Sequence, residues 1–104
     1  MNKKTYRNSD VKSVTMGVPS GHRHIRTVIE TVEGEVFVFQ EATVSAIVRA
    51  YTTIKTHPQK SAVRLDGEEL DTKKKGYAGY QLMESDEDSG AICDNLSDII
   101  DKPG

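Results

Sequence analysis

Residues 24–39 constrain the fold of this chain more than any other stretch. Their sequence, HIRTVIETVEGEVFVF, holds two runs rich in β-branched residues that meet at Glu33-Gly34. Two partly alternating runs of this kind around a Gly-containing pair are typical of a β-hairpin with a tight turn. We therefore expect a first strand over about residues 24–32 and a second over about residues 35–39.

The second of these strands is apolar on both faces. Strand alternation places Val36 and Val38 on one face and Phe37 and Phe39 on the other. A strand of this composition is covered on both faces or presents one of them to a partner. The sequence leaves open whether the two phenylalanines lie under the N-terminal residues, in a homodimer or against another protein. The residues that we select as a candidate partner-binding surface are His24, Arg26, Phe37 and Phe39.

Residues 41–57 have the spacing of an amphipathic helix. The apolar positions that form its stripe are Val44, Ile47, Val48, Tyr51 and Ile54. Pro58 ends the helix because proline lacks the backbone N–H that a helix interior needs. The high content of β-branched residues lowers the helix propensity, so we expect this helix to depend on its packing.

Further strands are predicted after the helix. Residues 61–65 have strand character, and Asp66-Gly67 behind them is a strong turn signal. A short return strand over residues 68–71 follows. A last strand is predicted over residues 77–83, beyond a lysine-rich loop.

The two ends of the chain carry opposite charge. Residues 1–26 hold six cations and one anion, whereas residues 84–104 hold seven anions and one cation. Polar, strongly charged segments favour disorder. The spacing of Ile92, Leu96, Ile99 and Ile100 offers a short amphipathic helix as an alternative for the C-terminal end. The domain organisation that we predict is a flexible basic arm over 1–22, an α+β domain over 23–84 and an acidic, mostly disordered tail over 85–104.

The order of these elements resembles the β-grasp fold of ubiquitin-like proteins over about residues 23–83. The opening hairpin of that fold corresponds to TVIETVEGEVFVF, and the helix across the hairpin corresponds to ATVSAIVRAYTTI. The strand, turn and short strand correspond to AVRLDGEEL. The resemblance implies a ββαββ arrangement, in which a β-hairpin and one helix packed across a small mixed sheet are followed by two to three further strands. It also implies a binding module, because β-grasp domains present a sheet face or an exposed edge to another protein.

No residue group predicts catalysis, a metal site or a cofactor. Cys93, the single cysteine, lies in an acidic stretch that disfavours the thiolate form of a nucleophile. His22 and His24 offer two metal ligands, which are too few for a site. The glycines form no phosphate-binding pattern. We predict a protein that is not an enzyme and holds no cofactor and no metal.

Basic residues support an alternative function, the binding of nucleic acid. Cations surround Tyr6 near the N-terminus, and a lysine run precedes Tyr77. The sequence pI near 5.9 corresponds to a net negative charge at neutral pH, and the tail is acidic. Both charges repel phosphate and so oppose this function. The candidate residues are Lys3, Lys4, Arg7, Lys73, Lys74 and Lys75.

Hydropathy and cysteine usage bear on location. No apolar run approaches the roughly 20 residues that cross a bilayer, and no apolar core follows the N-terminal lysines as in a signal peptide. A lone cysteine suits a reducing compartment. We expect a small cytoplasmic protein-interaction or regulatory module of ubiquitin-like type that binds another protein and contacts no membrane, with homodimerisation as a further option.

Overall fold

The computed structural model describes residues 2–70 and 79–102 of the 104-residue chain. In that part, a short 3-10 turn at Asn8–Asp10 precedes five strands and two helices: β1 (Val11–Gly17), β2 (Arg26–Thr31), β3 (Val36–Gln40), α1 (Glu41–Thr56), β4 (Leu65–Glu69), β5 (Tyr80–Glu84) and α2 (Ser89–Asp101). The chain is therefore an α+β protein, as predicted. It divides into two compact units, and the division falls between Val44 and Ser45, inside α1.

The strands form two antiparallel sheets, β1-β2-β3 and β4-β5. This differs from the single mixed sheet that we predicted. A strand precedes the hairpin and a helix follows the last strand, so the element order also differs from ββαββ. The β-grasp resemblance stays a prediction.

The predicted hairpin is confirmed as β2 and β3. The backbone N–H of Thr31 donates to the carbonyl of Glu35 at 2.9 Å, and the N–H of Gly34 donates to the carbonyl of Thr31 at 3.0 Å. Gly34 has a φ of 95°, a left-handed conformation that glycine adopts without steric cost. The turn is thus a three-residue loop closed by a left-handed glycine, which is a common hairpin connection.

Strand β1 lies inside the segment that we predicted to be a flexible arm. Val14 lies opposite Ile29 of β2, and the register shifts between Val11 and Ser13. A β-bulge of this kind inserts one extra residue, so Val11 and Val14 share a face although they are three positions apart. Because the bulge interrupts the alternation of side chains between the two faces, the sequence did not predict this strand.

Helix α1 confirms the predicted helix but buries a different side of it. Ala46 is buried, whereas Ile47, Val48 and Tyr51 are exposed, the last to 63%. The predicted apolar stripe therefore faces solvent along this part of the helix. The buried residue Ala46 has a small side chain, which allows the close approach of neighbouring groups.

The Asp66-Gly67 pair lies inside β4, where we predicted a turn. Gly67 pairs with Leu82 of β5, and its φ is not positive. The phenol ring of Tyr80 lies against Gly67, in the space that a Cβ atom would need. The glycine thus leaves room for the Tyr80 ring and does not reverse the chain. The predicted last strand corresponds to β5, and its residues 77 and 78 lie outside the described residues.

Helix α2 occupies most of the tail that we predicted to be disordered. The side chain of Asp88 caps it by accepting a hydrogen bond from the backbone N–H of Ala91 at 2.8 Å. Ile92 is buried, and the hydroxyl of Ser89 donates to the carbonyl of Ala62 at 3.5 Å. The alternative that we noted, a short amphipathic helix, is what the structure contains.

Candidate protein-binding face

One face of the three-stranded sheet carries both phenylalanines of β3 together with apolar side chains of β1 and β2. Residues directly opposite each other in an antiparallel pair point to the same side, so the register assigns each residue to a face. Phe37 shares its row with Ile29, and Phe39 shares its row with Thr27. The set that we call the aromatic face consists of Val11, Val14, Met16, Ile29, Phe37 and Phe39, with Tyr6 lying against it.

Tyr6 joins this face from the N-terminal segment. Its ring meets Phe37 edge to face, with 5.7 Å between the ring centroids and an interplanar angle of 77°. Its hydroxyl donates to Oε1 of Glu35 at 3.1 Å. An aromatic pair of this geometry contributes about 0.5–1.5 kcal/mol beyond its buried area. The N-terminal segment is thus held against the sheet by a specific contact.

A polar cluster at the hairpin turn fixes the same segment. Nζ of Lys4 lies 2.5 Å from Oε1 of Glu35, 3.7 Å from Oε2 of Glu33 and 5.2 Å from the centroid of the Tyr6 ring. The hydrogen bond from Lys4, and after it the one from Tyr6, lowers the pKa of Glu35. The same bond to Glu35 raises the pKa of Lys4. Because these groups are solvent-exposed, the cluster orients Tyr6 more than it stabilises the fold.

The aromatic face contains a groove of about 240 Å³. Its wall consists of Tyr6, Val11, Ile29, Thr31, Phe37 and Phe39. The polar group of Thr31 is already used, because its hydroxyl accepts a hydrogen bond from the backbone N–H of Glu35 at 3.0 Å. The groove lies below the roughly 300–1,000 Å³ of typical small-molecule pockets, so its size suits a side chain of another protein.

Much of the aromatic face is open to solvent. Val14 and Met16 are each 56% exposed, and Tyr6 and Phe39 are exposed to a lesser degree. Single exposed apolar residues are ordinary, whereas a contiguous set around an apolar groove makes this face a candidate interaction surface.

The structure brings together two of the four residues that we selected for partner binding. Phe37 and Phe39 lie side by side on the aromatic face. Arg26 pairs with Gln40 and therefore lies on the opposite face of the sheet. Its guanidinium donates to the carbonyl of His24, which precedes β2, at 3.4 Å.

The sequence left open that the N-terminal residues cover the two phenylalanines, and the contact of Tyr6 with Phe37 agrees with that alternative, but the sequence did not indicate which N-terminal residues take part. Tyr6, Val11, Val14 and Met16 fall in the predicted arm, where the bulge disguises the strand period. The aromatic residue six positions from the N-terminus was interpreted only as a partner for nucleic-acid bases. Its spacing from the hairpin gives no indication of the contact with Phe37.

Two of the basic residues of the alternative function are engaged with carboxylates. Lys4 pairs with Glu35, and Nε of Arg7 lies 3.6 Å from Oδ2 of Asp10. Lys3 is half-buried. Lys73, Lys74 and Lys75 lie outside the described residues. No contact in residues 2–70 or 79–102 favours a nucleic-acid interface, and that function stays a prediction.

A larger open cavity of about 660 Å³ lies beside the N-terminus of α2, and His57, Lys60 and Glu87 are among the residues that line it. Its charged groups already have partners, since Lys60 pairs with Glu84 at 2.6 Å and Glu87 with Arg64 at 3.2 Å. Within the described ranges, three or more His, Cys, Asp or Glu side chains do not gather as metal ligands would. The helices of those ranges are also too short or too polar to cross a membrane.

No protein-family model, no curated protein and no solved structure matches this chain.

Proposed function

We propose that this chain is a small protein-interaction or regulatory module, without catalysis, that binds another protein through its aromatic face. The observation that supports the proposal best is the open apolar groove beside Tyr6, Phe37 and Phe39. The β-grasp resemblance implies the same kind of role, and the ubiquitin-like type of the module rests on that resemblance alone. The cytoplasmic location rests on the sequence composition alone.

The chemistry of the face describes the partner. A groove with aromatic and aliphatic walls accepts one large apolar side chain, and aromatic residues in such positions dominate binding energies in protein interfaces. Lys4, Glu33 and Glu35 lie next to Tyr6 and offer charges of both signs at the rim. The partner is therefore a segment with an apolar anchor residue flanked by polar or charged residues.

A library of displayed peptides, selected against the full chain, tests this function. We expect selected peptides to share an apolar anchor residue. Phe39→Ala removes one wall of the groove and should raise the dissociation constant about 30-fold, equivalent to about 2 kcal/mol, as for an interface hot spot. Isothermal titration calorimetry measures the change.

Val38→Ala is the matched control, because Val38 is exposed on the same strand but points to the opposite face. Its effect on peptide binding should stay within about twofold, or about 0.4 kcal/mol. Equal losses for the two variants would contradict the proposal. The proposal would also be contradicted if the selected peptides changed the amide chemical shifts of the chain only at residues outside β1, β2 and β3.

A further inference from the structure

The edge strand β3 differs from the other edge strands of the described residues in carrying no charge. Its sequence is VFVFQ. Strand β1, at the other edge of that sheet, contains Lys12 and a bulge. Both strands of the two-stranded sheet carry carboxylates. Charged side chains and bulges are what proteins use to keep an edge strand from pairing with another chain. Strand β3 lacks these protections.

The hydrogen-bonding groups of β3 point toward this open edge at alternate residues. The bond from Thr31 N–H to the Glu35 carbonyl makes that pair a hydrogen-bonded one, and alternation along the register gives Phe37 and Phe39 the same character. The N–H and C=O groups of Val36, Val38 and Gln40 therefore point away from β2. In residues 2–70 and 79–102, no strand pairs with this side of β3.

We propose that β3 of a second copy of the chain occupies this edge, antiparallel, with the two-fold axis at Val38. In this register Val38 exchanges hydrogen bonds with Val38 of the other copy. Phe37 lies opposite Phe39 of the other copy, and Val36 lies opposite Gln40. The two three-stranded sheets become one continuous sheet with closed two-fold symmetry.

The strand itself is the argument for a second copy as the occupant. An antiparallel strand that pairs with its own copy brings the residue at the two-fold axis against the same residue of that copy, and a charge there would repel its like. VFVFQ brings no charge into the pairing. It contributes β-branched and aromatic cross-strand pairs, each worth about 0.2–1 kcal/mol. The 62% exposed side chain of Val38 would meet its own copy at the axis.

The pairing also joins the two aromatic faces. Side chains directly opposite each other share a face, so Phe37 and Phe39 of each copy adjoin those of the other. The dimer does not depend on the proposed binding function, because the backbone edge and not the groove forms it.

Analytical ultracentrifugation of the full chain over a range of concentrations tests the dimer. We expect a monomer–dimer equilibrium in the wild-type chain. Val38→Lys places two ammonium groups together at the axis, and the dimer dissociation constant should rise at least tenfold. Thr15→Lys is the matched control, since Thr15 and Val38 flank Val28 in one row of the sheet, at opposite edges. Its dissociation constant should stay within about twofold of the wild type, or about 0.4 kcal/mol.

A cross-linking experiment keeps the proposal testable if Val38→Lys fails to fold. In a Cys93→Ser background, Val38→Cys should form a disulfide-linked dimer on mild oxidation, because hydrogen-bonded antiparallel pairs have Cα atoms about 5.5 Å apart, within disulfide range. Thr15→Cys in the same background should stay monomeric. A monomeric wild-type chain at its solubility limit would overturn the proposal. Equal effects at positions 15 and 38, or assemblies that grow beyond the dimer, would overturn it as well.

Discussion

The two ends of the chain, residues 2–10 and residues 85–102, are both rich in polar residues and carry opposite charge, and they are held in place by different means. The N-terminal segment is held by contacts of side chains at the surface, chiefly the Tyr6 ring on Phe37 and Lys4 on Glu35. The C-terminal segment forms a capped helix that buries Ile92. Both were predicted to be loose, the first because its polar sequence shows no sustained period and the second because of its acidic composition.

The difference shows that charge composition alone predicts order poorly. A polar segment needs only one or two anchor residues to dock, and its remaining side chains can stay in water. The kind of anchor determines how much the docking contributes. A buried aliphatic residue stabilises a fold by kilocalories, whereas an exposed ion pair contributes little.

The largest effect in this comparison is expected at Ile92. Truncation to alanine removes buried methyl and methylene groups and should lower the free energy of unfolding of the C-terminal unit by about 3 kcal/mol. Urea denaturation followed by circular dichroism measures it. Ile100→Ala is the control, because Ile100 is 68% exposed on the same helix, against 6% for Ile92. Similar losses at the two positions would mean that the anchor is misassigned.

The next effect is expected at Tyr6. Tyr6→Ala removes the edge-to-face contact with Phe37 and should cost about 1.5 kcal/mol of unfolding free energy. Tyr6→Phe keeps the ring and loses only the hydrogen bond to Glu35. It should retain most of the stability in the same denaturation assay. If Phe proves as damaging as Ala, the polar cluster and not the ring holds the segment.

The cap of α2 should matter somewhat less. Asp88→Ala leaves the N–H of Ala91 without its acceptor and should destabilise the helix by about 1 kcal/mol. Hydrogen exchange at the first turn of α2 measures the loss. Asp88→Ser retains a capping oxygen and should recover most of the protection. Unchanged exchange in Asp88→Ala would exclude capping as the reason that this helix starts at Ser89.

The smallest effect concerns Glu35 and depends on pH. A carboxyl group whose pKa is lowered by folding stabilises the fold above its unfolded pKa, and that stabilisation disappears as the pH falls through the folded pKa. Glu35→Gln should therefore lower stability slightly at neutral pH and have no effect in strong acid. In a Lys4→Met background the neutral-pH difference should shrink, because the main cause of the pKa shift is gone. Thermal unfolding at both pH values tests the sign, and a difference that grows in acid would contradict it.

The predicted elements that the structure confirms are those whose sequence signals are local. The hairpin at Glu33-Gly34 and the helix that begins at Glu41 follow from spacing and turn chemistry over a few residues. The errors arise where a distant residue changes the meaning of a local signal. Gly67 lies in β4, where the ring of Tyr80 packs against it, and Val11 and Val14 share a face because a bulge shifts the register.

The candidate site was predicted in part for the same reason. Phe37 and Phe39 lie within the confirmed hairpin, so their shared face follows from alternation. The contribution of Tyr6 depends on a contact about 30 residues along the chain, for which no local pattern exists. The sequence correctly predicted that α1 carries apolar residues along one side, but periodicity does not say which side of a helix is buried.

The left-handed glycine of the hairpin turn has a consequence for chemical synthesis. A Cβ atom at Gly34 would have open space around it, so only backbone chirality disfavours substitution there. L-alanine at this φ should cost roughly 1–2 kcal/mol. D-alanine adopts that conformation naturally, so a D-amino acid bearing a dye or a cross-linker is expected to report from the tip of the hairpin without disturbing it.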